Sequence, residues 1–235
     1  MISPSEYVQL IKILYRQHSN PDVAQGQMKY MKFQFDYFGL KAPVWVALLK
    51  EVFKKNGVYD RGEELAEFVQ LCYDEPQREM QYAAIEMVQK NIKKLDANFI
   101  ETLESMILQK SWWDSVDWIA AKLVSVHLNK FPELLKTKPY QWIKYTGKTA
   151  KDPDMWLQRT AIIFQLKYKH STDTKMLYDF IKQKADSKEF FIQKASGWAL
   201  REYSKYNPDS VLDFVQNNPQ LAPLTKREAL RLIKN

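Results

Sequence analysis

The residues best placed to do chemistry lie in Ser111-Trp112-Trp113-Asp114-Ser115-Val116-Asp117-Trp118, three tryptophans and two acids in eight residues that open an amphipathic helix. Ser111 and Asp114 have the spacing of the N-cap and N3 residues of a capping box, so helix initiation accounts for both. Asp117 has no such duty. It follows Trp113 by one helical turn, on the same face, between apolar Val116 and Trp118. A carboxylate in that setting is costly unless it is paired or used. Held in a low-dielectric cleft, it would stabilise a developing positive charge and position an attacking water.

The usual catalytic sets are missing elsewhere. His18, His127 and His170 are scattered with no pair at metal-ligand spacing, and there is neither a glycine-rich phosphate loop nor a nucleophile elbow. These features predict no metal and no cofactor. Trp113, Trp156 and Trp198 supply large aromatic faces, and Arg159 and Arg201 follow two of them closely. Aromatic faces beside arginines suit a negative, flat-faced partner such as nucleic acid. A tryptophan at helical spacing is more often core, and Trp156, between Met155 and Leu157, is assigned there. For Arg159 the competing expectation is an ion pair with a neighbouring acid.

The elements that must position these residues are helices. Ser3-Pro4-Ser5-Glu6 reads as N-cap, N1 proline and capping-box glutamate. Asn20-Pro21, Asp152-Pro153 and Asn207-Pro208 each put a capping residue before a proline, Thr225 and Glu228 repeat the box spacing, and Gly57 stops the helix that starts near Pro43. Between these marks apolar residues recur at helical spacing, as in Val8, Ile11, Tyr15 and Val116, Ile119, Leu123, and no strand alternation is evident. The chain is predicted to be all-α.

Several helices share an apolar-Gln-x-small core, at Gln81, Gln158 and Gln193. Asp117 fits the glutamine slot 36 residues after Gln81 and 41 before Gln158, and Arg227 continues the frame 34 after Gln193. A drifting period of 34–41 residues, two helices per unit, predicts a HEAT-like helical-repeat solenoid, an α-α superhelix with a concave face, as one domain over residues 1–235. In that frame Asp117, Arg159 and Lys194 lie near one another.

Composition agrees. The chain is 46% apolar and 14% aromatic with only 6 glycines, against disorder and against a turn-rich β fold. Cys72 is the only cysteine, which excludes an intrachain disulfide and a Cys-cluster metal site and predicts a reducing cytoplasm. No apolar run is long enough for a membrane span and no export signal opens the chain. Charge is uneven. Residues 1–110 carry 14 Lys/Arg and 15 Asp/Glu, whereas residues 111–235 carry 21 and 13, a net of +8. The partners of a basic cytosolic half are most often polyanions.

Lys110 through Asp117, Trp156-Leu157-Gln158-Arg159, Ser187 through Ala195, Gly197-Trp198, Leu200 through Tyr203, and Leu221 through Ala229 together resemble the DNA alkylation repair enzyme family, and more narrowly its bacterial AlkD-type DNA glycosylases. The resemblance covers nearly the whole chain and is densest from about 103 to 230. It implies a solenoid that holds double-stranded DNA in a basic concave groove and excises cationic N3- and N7-alkylated purines in base excision repair, leaving the lesion stacked. It implies that Trp113 and Asp117 form the catalytic cleft and that Trp198 completes its aromatic walls. It also implies that Arg159 lies against the DNA backbone and that Tyr30 faces the lesion. Arg201 and Lys194 join Arg159 as expected DNA-binding residues, in a monomer. The rival readings are a non-catalytic DNA-binding repeat protein and a protein-interaction scaffold. Asp117 weighs against both, since a carboxylate opposes phosphate binding and a scaffold needs no such cluster.

Overall fold

The computed structural model describes residues 2–146 and 155–233, and all their regular structure is helical apart from one isolated bridge, Asp36 to Gln77. Capping side chains and prolines set the helix starts. Ser3 and Glu6 close the expected capping box and open α1 (Pro4–Gln17), with Ser3 N–H donating to Glu6 Oε2 at 2.8 Å and Glu6 N–H to Ser3 Oγ at 3.3 Å. Asn20 caps α2 (Pro21–Tyr30) by accepting from Val23 N–H at 3.1 Å. Next, α3 (Ala42–Asn56) ends at Gly57, whose φ of +81° favours glycine. After it come α4 (Gly62–Asp74) and α5 (Arg78–Asn91).

The chain divides into two compact units, Met1–Thr102 and Leu103–Asn235, and α6 (Ile100–Leu108) carries the backbone from one to the other. In the first unit α1 packs on α3 and α4, and α4 on α5, around Tyr7, Ile11, Tyr15, Phe68, Cys72 and Ala84. Burial of such side chains is the main stabilising term, at roughly 1.5–3 kcal/mol for each large apolar group. The connection between α2 and α3 is fixed by buried Glu79, whose carboxylate accepts from the N–H groups of Phe38 (3.1 Å), Gly39 (3.0 Å) and Leu40 (3.1 Å). Gly39 sits at φ +87°, and a Cβ there would lie 2.0 Å from the Asn20 carbonyl oxygen.

In the second unit α7 (Trp113–Trp118) passes through a π-helical turn at Ile119–Val124 into α8 (Ser125–Lys130), followed by α9 (Pro132–Leu135) and α10 (Lys138–Trp142). Then come α11 (Met155–Ile163), α12 (Thr174–Gln183), α13 (Phe190–Ser204), α14 (Pro208–Gln216) and α15 (Pro223–Ala229). Asp173 caps α12 and Asn207 caps α14. Helix α7 packs on α11, α11 on α13 and α13 on α15, so the helices of the recurring frame that belong to this unit form a row.

The recurring glutamine has a physical cause. Gln81 donates through Nε2 to the carbonyls of Cys72 and Glu75, both at 2.9 Å, Gln158 to that of Tyr145 at 2.6 Å, and Gln193 to that of Ser187 at 2.9 Å. Each thus satisfies carbonyls of the segment leading into its own helix, groups that helix ends leave without partners. In the same slot Asp117, when ionised, has only acceptors and cannot play that part.

Two expected capping boxes do not form. Helix α7 starts one residue later than the spacing implied, with Trp112 as N-cap, and Ser111 Oγ instead donates to the Ile107 carbonyl at 2.6 Å. Thr225 and Glu228 lie inside α15 and are engaged by α13: Thr225 Oγ1 donates to the Gln193 carbonyl at 3.1 Å, and Glu228 pairs with Lys194 and Arg201. The Asp152-Pro153 start lies outside the described residues.

The approach of α15 to α13 depends on Gly197. A Cβ there would lie 2.5 Å from Glu228 Cβ and 2.8 Å from the Thr225 carbonyl oxygen. Gly197→Ala should therefore destabilise the fold. Alanine gains about 1 kcal/mol of helix propensity, but overpacking against backbone costs about 1–3 kcal/mol and separates two packed helices. A lowered urea midpoint with an unchanged slope is the expected result; a raised midpoint would show that α15 can move aside.

Candidate active site

Six of the seven sequence-predicted site residues line one pocket of about 270 Å³ in the second unit: Trp113, Asp117, Arg159, Lys194, Trp198 and Arg201. Its remaining lining comes from Phe190 and Phe191. Helix periodicity explains the convergence. On α13 the positions 191, 194, 198 and 201 fall on one face, and on α7 the four-residue step puts Trp113 and Asp117 side by side. Arg159 reaches in from α11.

The centre of the pocket is an ion pair. Arg159 Nε donates to Asp117 Oδ1 at 2.7 Å and Nη2 to Oδ2 at 2.8 Å, the two-pronged geometry that a guanidinium offers a carboxylate. Arg159 Nη1 donates to the Phe191 carbonyl at 2.5 Å, and the guanidinium lies 5.9 Å from the centre of the Phe191 ring. Arg159 is only 3% exposed. Its immediate partner is thus an acid, the competing expectation from sequence, and this contact orients the carboxylate. Burial pushes the Asp117 carboxyl above its ordinary value of 3.8; the hydrogen bonds and charge of Arg159 pull it down, and the charge of Asp114 adds to the rise. The net direction is upward, because burial outweighs the single pairing.

The basic wall is also compensated. Glu228 of α15 accepts from Lys194 Nζ at 2.7 Å through Oε1 and from Arg201 Nη1 through Oε2. The Lys194 hydrogen bond is the leading cause that holds the Glu228 carboxyl below the usual carboxylate range. Sequence reading missed Glu228 because the capping-box spacing gave it a local role.

Behind the pocket Phe191 packs against Trp112 (ring centres 5.3 Å apart) and Trp156 (5.0 Å), and Trp156 is buried in the core as expected. Phe190 is 58% exposed at the rim. The two phenylalanines lay within a recognised sequence segment, but nothing in their spacing distinguished them from core. The seventh predicted residue, Tyr30, closes α2 in the first unit and is 69% exposed. Among the described residues no cluster of His, Cys, Asp or Glu is arranged to hold a metal ion, and no helix is long and apolar enough to cross a membrane.

Comparison with known proteins places these features. The family model described as DNA alkylation repair enzyme matches residues 11–233. Among solved structures, one described as a predicted DNA alkylation repair enzyme from Enterococcus faecalis is 31% identical, with a TM-score of 0.82 over 92% of this chain and 97% of that one. No curated protein matches. With a family match over nearly its whole length and a structural relative of the same description, this chain belongs to the DNA alkylation repair enzyme family.

Proposed function

We propose that the protein is a DNA glycosylase that hydrolyses the N-glycosidic bond of cationic N3- and N7-alkylated purines, such as 3-methyladenine and 7-methylguanine, in duplex DNA. The observation that carries this reading is the Asp117 carboxylate, held by both prongs of Arg159 in a pocket walled by Trp113 and Trp198. An alkylated purine of this kind already bears a positive charge, so it leaves as a neutral molecule and needs no general acid. The C1′–N bond breaks and its electron pair departs with the base, water then adds at C1′, and the water's proton passes to solvent by way of the carboxylate. Between these events the sugar resembles an oxocarbenium ion, which a fixed negative charge and tryptophan faces stabilise. The base is taken to stay in the stack, with selectivity supplied by the lability of the cationic lesion. The protein acts in this reading as a cytoplasmic monomer, without cofactor.

Arg159 has two parts in the proposal. It favours the ionised form of Asp117 against burial, and its positive charge is proposed to attract a backbone phosphate. Lys194, Arg201 and Tyr30 are proposed as further DNA contacts. Duplex affinity should fall steeply with salt, by a slope of about 0.9 per phosphate neutralised; affinity indifferent to salt would remove the phosphate contacts from the reading.

Asp117→Asn retains the shape and removes the charge. Excision of 7-methylguanine from methylated duplex DNA should fall roughly 10²–10³-fold, the usual loss for one such electrostatic group, with duplex binding unchanged or tighter. Full excision by this variant, or none by the wild type, would reject the glycosylase reading and leave a non-catalytic DNA-binding or scaffold role.

The acid side of the pH–rate profile gives an independent check. Asp117 works ionised, so the rate falls as pH drops through its carboxyl pKa in the folded protein, which lies above the ordinary 3.8. Arg159→Ala removes the groups that lower this pKa and should move the acid limb to higher pH. Asp114→Asn removes a repelling charge and should move it lower. Limbs that coincide in all three proteins would detach the profile from Asp117.

A further inference from the structure

We propose that Glu228 is a positioning residue that cancels Lys194 and Arg201 at the wall of the pocket, so that a cationic lesion and a developing sugar cation meet a nearly balanced field. The inference rests on the glycosylase reading above. Its basis is geometric. One buried carboxylate bonds both cations, Lys194 through Oε1 and Arg201 through Oε2, and these two basic residues line the same pocket as Asp117. With Arg159 held by Asp117, the five charged side chains carry three positive and two negative charges. Without Glu228 the excess would double, against a substrate that is itself positive.

The position of Glu228 is enforced. Gly197 on α13 admits its stem so closely that a Cβ there would lie 2.5 Å from Glu228 Cβ. Lys194 and Arg201 lie one turn to either side of Gly197 and Trp198, so the carboxylate enters between them. For phosphate binding alone this arrangement is counterproductive, because an anion on the basic wall weakens attraction for DNA. For a reaction that creates positive charge beside that wall, it removes repulsion that would raise the barrier.

The test is single-turnover release of 7-methylguanine from methylated duplex DNA, with enzyme in excess, alongside duplex affinity and urea stability. Glu228→Gln preserves shape and hydrogen-bonding capacity. Release should slow on the order of tenfold, as expected for one uncompensated charge roughly 10 Å from the reacting centre at an effective dielectric of about 20. Duplex affinity should hold or rise, with a steeper salt dependence. The acid limb should also move to lower pH, because Asp117, which faces Arg159 from α11 and Asp114 on its own helix, would share its pocket with two uncancelled cations of α13.

Adding Lys194→Gln to Glu228→Gln returns the pocket to its original net charge, and release at saturating enzyme should recover most of the loss. A purely structural Glu228 would give lowered stability, unchanged release from folded protein and no recovery in the double variant, and that result overturns the proposal. Wild-type release with an unaltered Glu228→Gln rate and acid limb overturns it while sparing the glycosylase reading. No release by the wild type rejects that reading and this inference with it.

Discussion

The pairing of Asp117 with Arg159 is the contact on which the rest of the second unit depends. Two charges in a pocket this enclosed lose hydration worth several kcal/mol each, and only near-ideal geometry offsets that cost. The geometry here is of that kind, with both carboxylate oxygens engaged at 2.7 and 2.8 Å and the third guanidinium nitrogen closed by the Phe191 carbonyl. The ion pair thus ties α7 to α11 and the start of α13. Its balance falls short of full compensation, which is why the carboxyl lies above its ordinary range. Burial is the largest influence on Asp117, so its charged form is less favoured than that of an ordinary aspartate, in keeping with the proposal that it meets a new positive charge during the reaction.

The α13 helix supplies the opposite side. Its pocket face alternates aromatic and basic residues, Phe191, Lys194, Trp198 and Arg201, while Ile192, Ala195, Ala199 and Leu200 turn into the core. Such a division needs a neighbour that approaches the helix without displacing the basic groups. The small residue Gly197 lets α15 do so, and Thr225 fastens the contact by donating to the Gln193 carbonyl. The glutamine frame thus acts twice in α13, since the Gln193 side chain satisfies the Ser187 carbonyl and its own carbonyl receives α15.

The helical class, most caps and the nearness of Asp117, Arg159 and Lys194 were legible in sequence, for a common reason. Apolar periodicity, proline punctuation and a repeated slot are local or quasi-periodic signals, and the chain states them directly. What failed were the local readings of residues whose partners are distant. Ser111 and Asp114 have capping-box spacing, yet the Ile107 carbonyl at the end of the preceding helix captures the Ser111 hydroxyl and shifts the helix start. Thr225 and Glu228 have the same spacing, but α13, about 30 residues upstream, holds both. Spacing shows which side chains could cap; competition from tertiary partners decides whether they do. The recurrence of glutamine was likewise visible, but its cause, a carbonyl awaiting a donor, appears only once the preceding segment folds back.

Asp117 and Glu228 show how one fold gives two carboxylates different chemistry. Both lie in helices of the same row and both contact arginine. Asp117 has one cationic partner, an acid four-residue neighbourhood that includes Asp114, and burial as its largest influence, so its protonated form is favoured relative to an ordinary aspartate. Glu228 has two cationic partners, and its hydrogen bond to Lys194 outweighs burial, so its ionised form is favoured. Environments that push two acids of one site in opposite directions are a general means of assigning them different roles. The acid with the raised pKa and a single partner has interaction capacity left for a transient cation; the acid with the lowered pKa has committed its charge to lysine and arginine. Reversing the two would leave Lys194 and Arg201 less fully compensated and tie the central carboxylate to two cations, an arrangement at odds with the proposed role of Asp117.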